Sequence, residues 1–232
     1  MKKIVFLTGA GISAESGIST FRDSNGLWEQ YRVEDVASID GYYRNPELVI
    51  KFYNERRRQL LAVKPNKAHE LVAALQDRFE TIVVTQNIDT LHEMAGSRQV
   101  IHLHGQLMKA TSTNNPNDPS QIVDLSPDNP DIHLGDKAND GSQLRPFIVW
   151  FGESVPMIEP AAEYVSEADI VVVVGTSLNV YPAAGLLGYA RHDAQIFLID
   201  PKPQNIPGWL PVHIIQKKAT EGMAELVELL ED

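Results

Sequence analysis

Short apolar, β-branched runs alternate with amphipathic stretches along this chain, and that alternation narrows the fold more than any other feature. Residues 3–8 (KIVFLT), 81–85 (TIVVT), 170–174 (IVVVV) and 196–199 (IFLI) are each brief and built from Val, Ile, Leu, Phe or Thr, with Lys3 the one charged residue. Runs of that length without polar alternation read as strands buried on both faces of a sheet. A weaker strand is expected at 212–216. Helices are expected at 46–61, with Leu48, Val49, Phe52, Tyr53, Leu60 and Leu61 opposite a basic face, and at 67–75, 160–168 and 182–190. A last helix is expected at 221–230, where Met223, Leu226, Val227 and Leu230 fall at helical spacing. Strands alternating with helices predict an α/β fold, a parallel sheet with helices on both faces.

One stretch breaks the alternation. Residues 109–145 are rich in Asn, Asp, Pro, Gly and Ser and hold few large apolar side chains, which predicts an irregular insertion, either a small ordered module or a mobile loop. The 232 residues suffice for one large domain carrying a small one. Cysteine is absent, so disulfides, thiolate zinc sites and cysteine nucleophiles are excluded. The 20 basic and 31 acidic residues leave a net charge of −11. Such a chain repels nucleic acid unless its basic residues cluster, and it suits a basic partner such as a lysine-rich peptide. The apolar start at 4–7 is too short for a signal peptide and runs at once into Gly9, Gly11 and Glu15. No segment has the length to span a bilayer, so a cytoplasmic location without membrane association is expected.

The candidate chemistry lies at strand ends. Gly9-Ala10-Gly11-Ile12-Ser13-Ala14 follows the first strand and fits the G-x-G-x-x-G/A pattern. Glycines there allow a tight turn and close approach of backbone N–H groups to a pyrophosphate, or they simply make the turn. Ser16, Gly17, Ser19 and Thr20 are poor helix formers. No acidic residue follows a second strand about 20 residues on, as a dehydrogenase would require. Thr85-Gln86-Asn87-Ile88-Asp89 closes the second run; its side chains either grip ribose hydroxyls and a carboxamide or cap a helix at Leu91–Met94. His102-Leu103-His104-Gly105 offers an imidazole able to act as a base near neutral pH. Pro146-Phe147-Ile148-Val149-Trp150-Phe151-Gly152-Glu153 offers either an edge that a peptide could extend or a core strand with its turn. Gly175-Thr176-Ser177 again follows an apolar strand, where small hydroxyl residues serve phosphate and ribose contacts or ordinary caps.

Taken in order, GAGIS, FRD, TQNID, HLHG, VWFGE and GTS resemble the sirtuin deacylases over the whole chain except 109–145. The resemblance implies a Rossmann-like NAD-binding catalytic domain from 1–108 and 146–232. It also implies a small inserted module at 109–145, at the position of a zinc module, and a helical part of the small domain at 29–66. By that resemblance Gly9, Ala10, Gly11 and Ser13 hold the NAD phosphates, and Phe21 and Arg22 close over the cofactor. Gln86 looks like the ribose contact, and Asn87, Ile88 and Asp89 like the nicotinamide pocket. Gly175, Thr176, Ser177 and Asp200 look like the adenosine side, with Ala219 as the adenine wall. Val149, Phe151 and Gly152 look like the peptide contact. The implied reaction consumes NAD: the acyl-lysine oxygen attacks the ribose carbon as nicotinamide leaves, and His104, with Asn87 and Asp89 as its catalytic neighbours, takes a proton from a ribose hydroxyl. Free lysine, nicotinamide and O-acyl-ADP-ribose result. The implied partners are proteins or peptides carrying acylated lysines, and no oligomer is required.

Acyl choice is also open to reading by resemblance. In sirtuins that remove acidic acyl groups, a Tyr and an Arg three residues on bind the distal carboxylate. Tyr53 and Arg56 match them, one helical turn apart and so on one face. Ala37 resembles the small residue that leaves room in that pocket. Succinyl- and malonyl-lysine are therefore expected substrates beside acetyl-lysine. Two departures stand out. The family usually places four zinc-binding cysteines between HG and FGE, where this chain has none, so no zinc is expected and His133, Asp131 and Asp136 offer at most a weak oxygen-rich set. Asp200 stands where the family commonly has Asn, and a carboxylate there favours NAD over NADP. The rival readings are a non-catalytic NAD-binding protein, and an NAD hydrolase or ADP-ribosyltransferase using the same site.

Overall fold

The computed structural model describes residues 1–18, 31–176, 180–202 and 211–231. Its main sheet has six strands, all parallel: β1 (Lys3–Thr8), β2 (Glu80–Thr85), β3 (Val100–His102), β7 (Ile170–Val174), β8 (Gln195–Ile199) and β9 (Val212–Ile215). They lie in the order β3-β2-β1-β7-β8-β9, so the strand order reverses between β1 and β7. That is the doubly wound, Rossmann-like arrangement, whose ligand crevice opens at the carboxyl ends of the strands flanking the reversal.

Alternate residues of β1 face opposite sides, as a strand requires. Ile4 and Phe6 pack with Val72 of α5 (Lys67–Ala74) and with Met223 and Leu226 of α8 (Ala219–Leu229). Val5 and Leu7 pack with Ala161 and Val165 of α7 (Ile158–Glu167) and with Leu186 and Leu187. The expected strands and helices are found with their ends within two residues of those read from the sequence. Two details differ: residues 183–189 form a 3-10 helix, and β3, only three residues long, left no periodicity to read.

A third core lies outside the sheet. It joins α2 (Val33–Val36), α3 (Ile39–Arg44) and α4 (Pro46–Leu61) to Leu107, Ala110, Ile132, Ile148 and Trp150. Helix α4 starts where the sequence dictates: Asn45 accepts the Leu48 N–H at 3.1 Å and Pro46 fills the first turn. The inserted segment is a small ordered module. Residues 109–145 contribute to a three-stranded antiparallel sheet of β4 (Gly105–Ser112), β5 (Val123–Asp124) and β6 (Leu144–Ile148), in the order β5-β4-β6. Ala110, Ile132 and Ala138 are buried while Leu134 is exposed, and abundant turn residues mask strands this short. Among the described residues no helix is long and apolar enough to cross a membrane.

Candidate active site

Register brings the strand ends level. Thr8 pairs with Thr85 on β2 and Val174 on β7, and Val174 pairs with Ile199 on β8. Gly9, Gln86, Gly175 and Asp200, each following one of those residues, therefore leave the sheet at one edge. The turns after β1 and β7 meet backbone to backbone: Gly9 N–H donates to Val174 O at 3.0 Å and Gly11 N–H to Gly175 O at 2.8 Å. A Cβ on Gly11 would stand 2.6 Å from the Gly175 Cα, and Gly175 has φ +61°, so neither position accepts a side chain without displacement. Gln86 bridges the crevice, its Nε2 donating to Thr176 Oγ1 at 2.9 Å. Asp200 is buried and takes the Lys202 N–H at 2.8 Å, while Ala219 is buried at the start of α8. A tight glycine turn, a hydroxyl, an amide and a carboxylate at one edge of a parallel sheet fit a dinucleotide. Phe21, Arg22 and Ser177 lie outside the described residues.

Beneath the crevice runs a buried polar network. Ser13, on the short helix α1 (Ala10–Ala14), donates to Asp89 Oδ2 at 2.9 Å and accepts from Asn87 Nδ2 at 3.2 Å. The Asn87 amide also donates to Gly9 O at 3.0 Å, and Asp89 Oδ1 takes the Leu91 N–H at 3.1 Å. That last bond opens α6 (Leu91–Met94), so the motif caps its helix and lines the crevice at once. Burial raises the Asp89 carboxyl above its usual range, against the hydrogen bonds from Leu91 and Ser13. Ile88 is half-buried and its carbonyl takes the Leu107 N–H at 2.8 Å, which ties the motif to β4.

His69 and His92 belong to this network, and sequence reasoning missed both. His69 Nε2 lies 3.5 Å from Ser13 Oγ, His92 Nε2 lies 3.2 Å from Thr8 Oγ1, and the two rings meet edge to face at 4.9 Å. Burial holds His69 down at about 4 and drives His92 well below the ordinary imidazole range. A signal for His69 was present: Asn66 caps α5, and His69, three residues on, accepts the Asn66 N–H at its Nδ1, at 3.3 Å.

His104 stands half-buried at the end of the His102-Leu103-His104-Gly105 turn. Its Nδ1 lies 3.0 Å from Gln86 O, a group that can only accept, so Nδ1 carries the proton and Nε2 keeps its lone pair. Desolvation pulls its pKa below the usual imidazole value, and the bond to Gln86 opposes that only in part. His102 is engaged on both nitrogens, by Asn87 O at 3.1 Å and Glu93 Oε1 at 2.6 Å, and is a buried structural group.

Tyr53 and Arg56 are both buried on α4. The Tyr53 hydroxyl accepts from Trp150 Nε1 at 3.0 Å, and burial pushes its phenol up to about 12. Burial lowers the Arg56 guanidinium, opposed in smaller part by Tyr53 and then Asp89. Trp150 is itself fixed from beneath. Arg145 lies 3.6 Å over its ring and forms two bonds to the Glu153 carboxylate, at 2.7 and 2.9 Å, and Glu153 also takes the Trp150 N–H at 2.8 Å. Val149 N–H donates to His104 O at 3.0 Å. The edge at Phe151 is already paired within the chain, because Phe151 N–H donates to Ala37 O at 2.9 Å and Phe151 O accepts from Ile39 N–H at 3.0 Å. Ala37 thus lies beside Phe151, and Gly152, at φ +93°, turns the chain away from that pair.

The zinc position does not suit zinc. Tetrahedral structural zinc takes thiolates and imidazoles, and residues 109–145 supply no thiol and one imidazole, His133. Asp131 pairs with Arg58, Asp136 takes the His133 N–H at 2.7 Å, and among the described residues no group of three His, Asp or Glu is placed to hold a metal ion.

Comparison with known proteins agrees with this geometry. The Sir2 family model matches residues 9–182. The chain is 58% identical over 230 residues to an NAD-dependent protein deacylase of Bacteroides thetaiotaomicron, covering 99% of this chain and 98% of that protein. It is 48% identical to one of Helicobacter pylori over the same shares. Among solved structures, a Sir2 homologue in complex with NAD superposes with a TM-score of 0.85 at 38% identity, covering 99% of this chain and 90% of that one. A Sir2 carrying a deacetylated p53 peptide and 3′-O-acetyl ADP-ribose gives 0.81 at 32% identity, over 98% and 93%.

Proposed function

The chain belongs to the Sir2 family and is an NAD-dependent protein deacylase, and we propose that its acyl pocket takes succinyl and malonyl groups alongside acetyl. The observation that carries this reading is the pair Tyr53 and Arg56, buried together one turn apart on α4. A guanidinium one helical turn from a tyrosine can meet an acyl carboxylate through two parallel bonds. Trp150 occupies the Tyr53 oxygen as donor, which leaves the phenol proton to be given to an acyl carboxylate.

NAD bound in the crevice would supply the ribose carbon that accepts the acyl oxygen in exchange for nicotinamide, and with one water the products would be free lysine and O-acyl-ADP-ribose. The chain's own residues do the rest. His104 presents Nε2 as base to a ribose hydroxyl, with Gln86 O holding the ring in that tautomer. Asn87 and Asp89 fix the nicotinamide end of the crevice through Ser13, and Thr176, Asp200 and Ala219 serve the adenosine end. The peptide lies along Val149 and Gly152, since Phe151 is already paired to residues 37 and 39. The same reading divides the chain into a catalytic domain of 1–108 and 146–232 and a module of 109–145. The helical segment 29–66 shares the third hydrophobic core with that module, which supports grouping the two.

The test is mass spectrometry of matched acetyl- and succinyl-lysine peptides, with and without NAD. Arg56→Met is expected to lower desuccinylation by on the order of 10²-fold while sparing deacetylation. Equal loss of both activities would remove the acyl-carboxylate role.

A further inference from the structure

The small module holds a cluster of side chains that neither the crevice nor the acyl pocket uses. Ser112 closes β4 and its side chain is fully buried. Its hydroxyl donates to Asp140 Oδ2 at 2.5 Å, lies 2.9 Å from Ser142 Oγ, and accepts the Asn114 and Asn115 N–H groups, each at 3.0 Å. Asp140 takes the Asn115 side-chain amide at 3.1 Å and the Ser142 N–H at 3.0 Å. The second turn is closed by Ala138 N–H to Ser142 O at 2.9 Å. Side chains thus tie the turn after β4 to a turn 28 residues further along the chain.

A structural zinc does the same job in a small module: two turns, each offering ligands a few residues apart, are closed on one ion. Ser112 and Asn115 even keep the two-residue spacing of a thiolate pair. Their chemistry is wrong for the ion and right for one another. Hydroxyls and an amide are weak zinc ligands, and here each meets a protein donor or acceptor. Asp140, the one anion, is held well below the usual carboxylate range by Ser112 and Ser142.

We propose that this Ser112–Asp140 knuckle replaces the metal as the structural crosslink of the module, and that the module in turn holds α4 in place. The coupling runs through two buried residues of α4. Asn54 pairs with both main-chain groups of Ile132, donating to its O at 2.9 Å and accepting from its N–H at 3.1 Å. Arg57 is fully buried, donates to Leu107 O at 3.4 Å on β4, and is bonded to Asn54. Tyr53 and Arg56 stand on the same turns of that helix.

Hydrogen exchange by mass spectrometry on the full chain tests this without NAD or any activity. It is paired with metal analysis and a chelator arm using 1,10-phenanthroline. Ser112→Ala is expected to speed exchange about tenfold across 108–145 and in α4, leaving β1 and β7 unchanged. Ser112→Thr, which keeps the hydroxyl, is expected to restore slow exchange. The chelator is expected to change nothing. If Ser112→Ala does not fold, Asn115→Ala, which removes one bond at the rim, is expected to give the same pattern at smaller amplitude. Unchanged exchange in the Ala variants overturns the proposal, as does one tightly held metal per chain whose removal loosens the module.

Discussion

The His104 Nδ1–H donates to the main-chain oxygen of Gln86 over 3.0 Å, and this bond decides which ring nitrogen is left to act as a base. The carbonyl belongs to the turn after β2, and the histidine to the turn after β3, the neighbouring strand. The pairing of those two strands therefore sets the orientation of the imidazole.

His104→Tyr is expected to lower deacylation by roughly 10²- to 10⁴-fold, the usual worth of a positioned base. NAD binding, followed by calorimetry, is expected to survive. In the proposed mechanism the neutral ring is the active form, and burial depresses its pKa. The acid limb of kcat/KM should therefore fall below the ordinary imidazole value of about 6.5, and activity should persist to lower pH than an exposed histidine would allow. An acid limb above that value would contradict the assignment.

Stability should depend on His69. Its pKa lies near 4 in the folded chain against 6.5 for the free side chain, because burial disfavours the charged form. A depressed folded pKa means that the unfolded chain takes up the proton first as pH falls. The associated stability is complete above about 6.5 and is lost progressively toward about 4, on the order of 3 kcal/mol in total. Urea unfolding at pH 7.5 and pH 5 is expected to show this loss in the parent chain and a smaller one in His69→Gln. Equal slopes in both would assign the effect elsewhere, first to His92.

Asp200 should make the crevice selective for NAD. It is buried at the carboxyl end of β8, where a carboxylate can accept from ribose hydroxyls and repels a 2′-phosphate. NADP is expected to bind at least about tenfold more weakly than NAD, and Asp200→Asn to narrow the gap. Equal affinities for the two dinucleotides in the parent chain would exclude this role.

Much of this was legible in the sequence. The apolar runs 3–8, 81–85, 170–174 and 196–199 named the central strands because a strand buried on both faces has no polar alternation to confuse the reading. The apolar residues Leu48, Val49, Phe52, Tyr53, Leu60 and Leu61 marked α4, and the spacing of Tyr53 and Arg56 put them on one face of it. The order of short motifs was enough to point to the family.

Other features could not be read that way. The antiparallel sheet of the module is made of short strands in a turn-rich segment, so its pattern stays below the level at which alternation is visible. His69 and Ser13, 56 residues apart, are joined only because α1 and α5 pack near one another, and the sequence carries no sign of that distance. Trp150 meets Tyr53 across 97 residues for the same reason. The sequence by itself determined the central strands, the longer helices and the motifs able to carry the chemistry, since those depend on local periodicity and side-chain type. The tertiary structure alone decided the tautomer of His104, the pairing of Phe151 with residues 37–39 and the closure of the module on Ser112, because each is a contact between groups that only chain packing brings within hydrogen-bond reach.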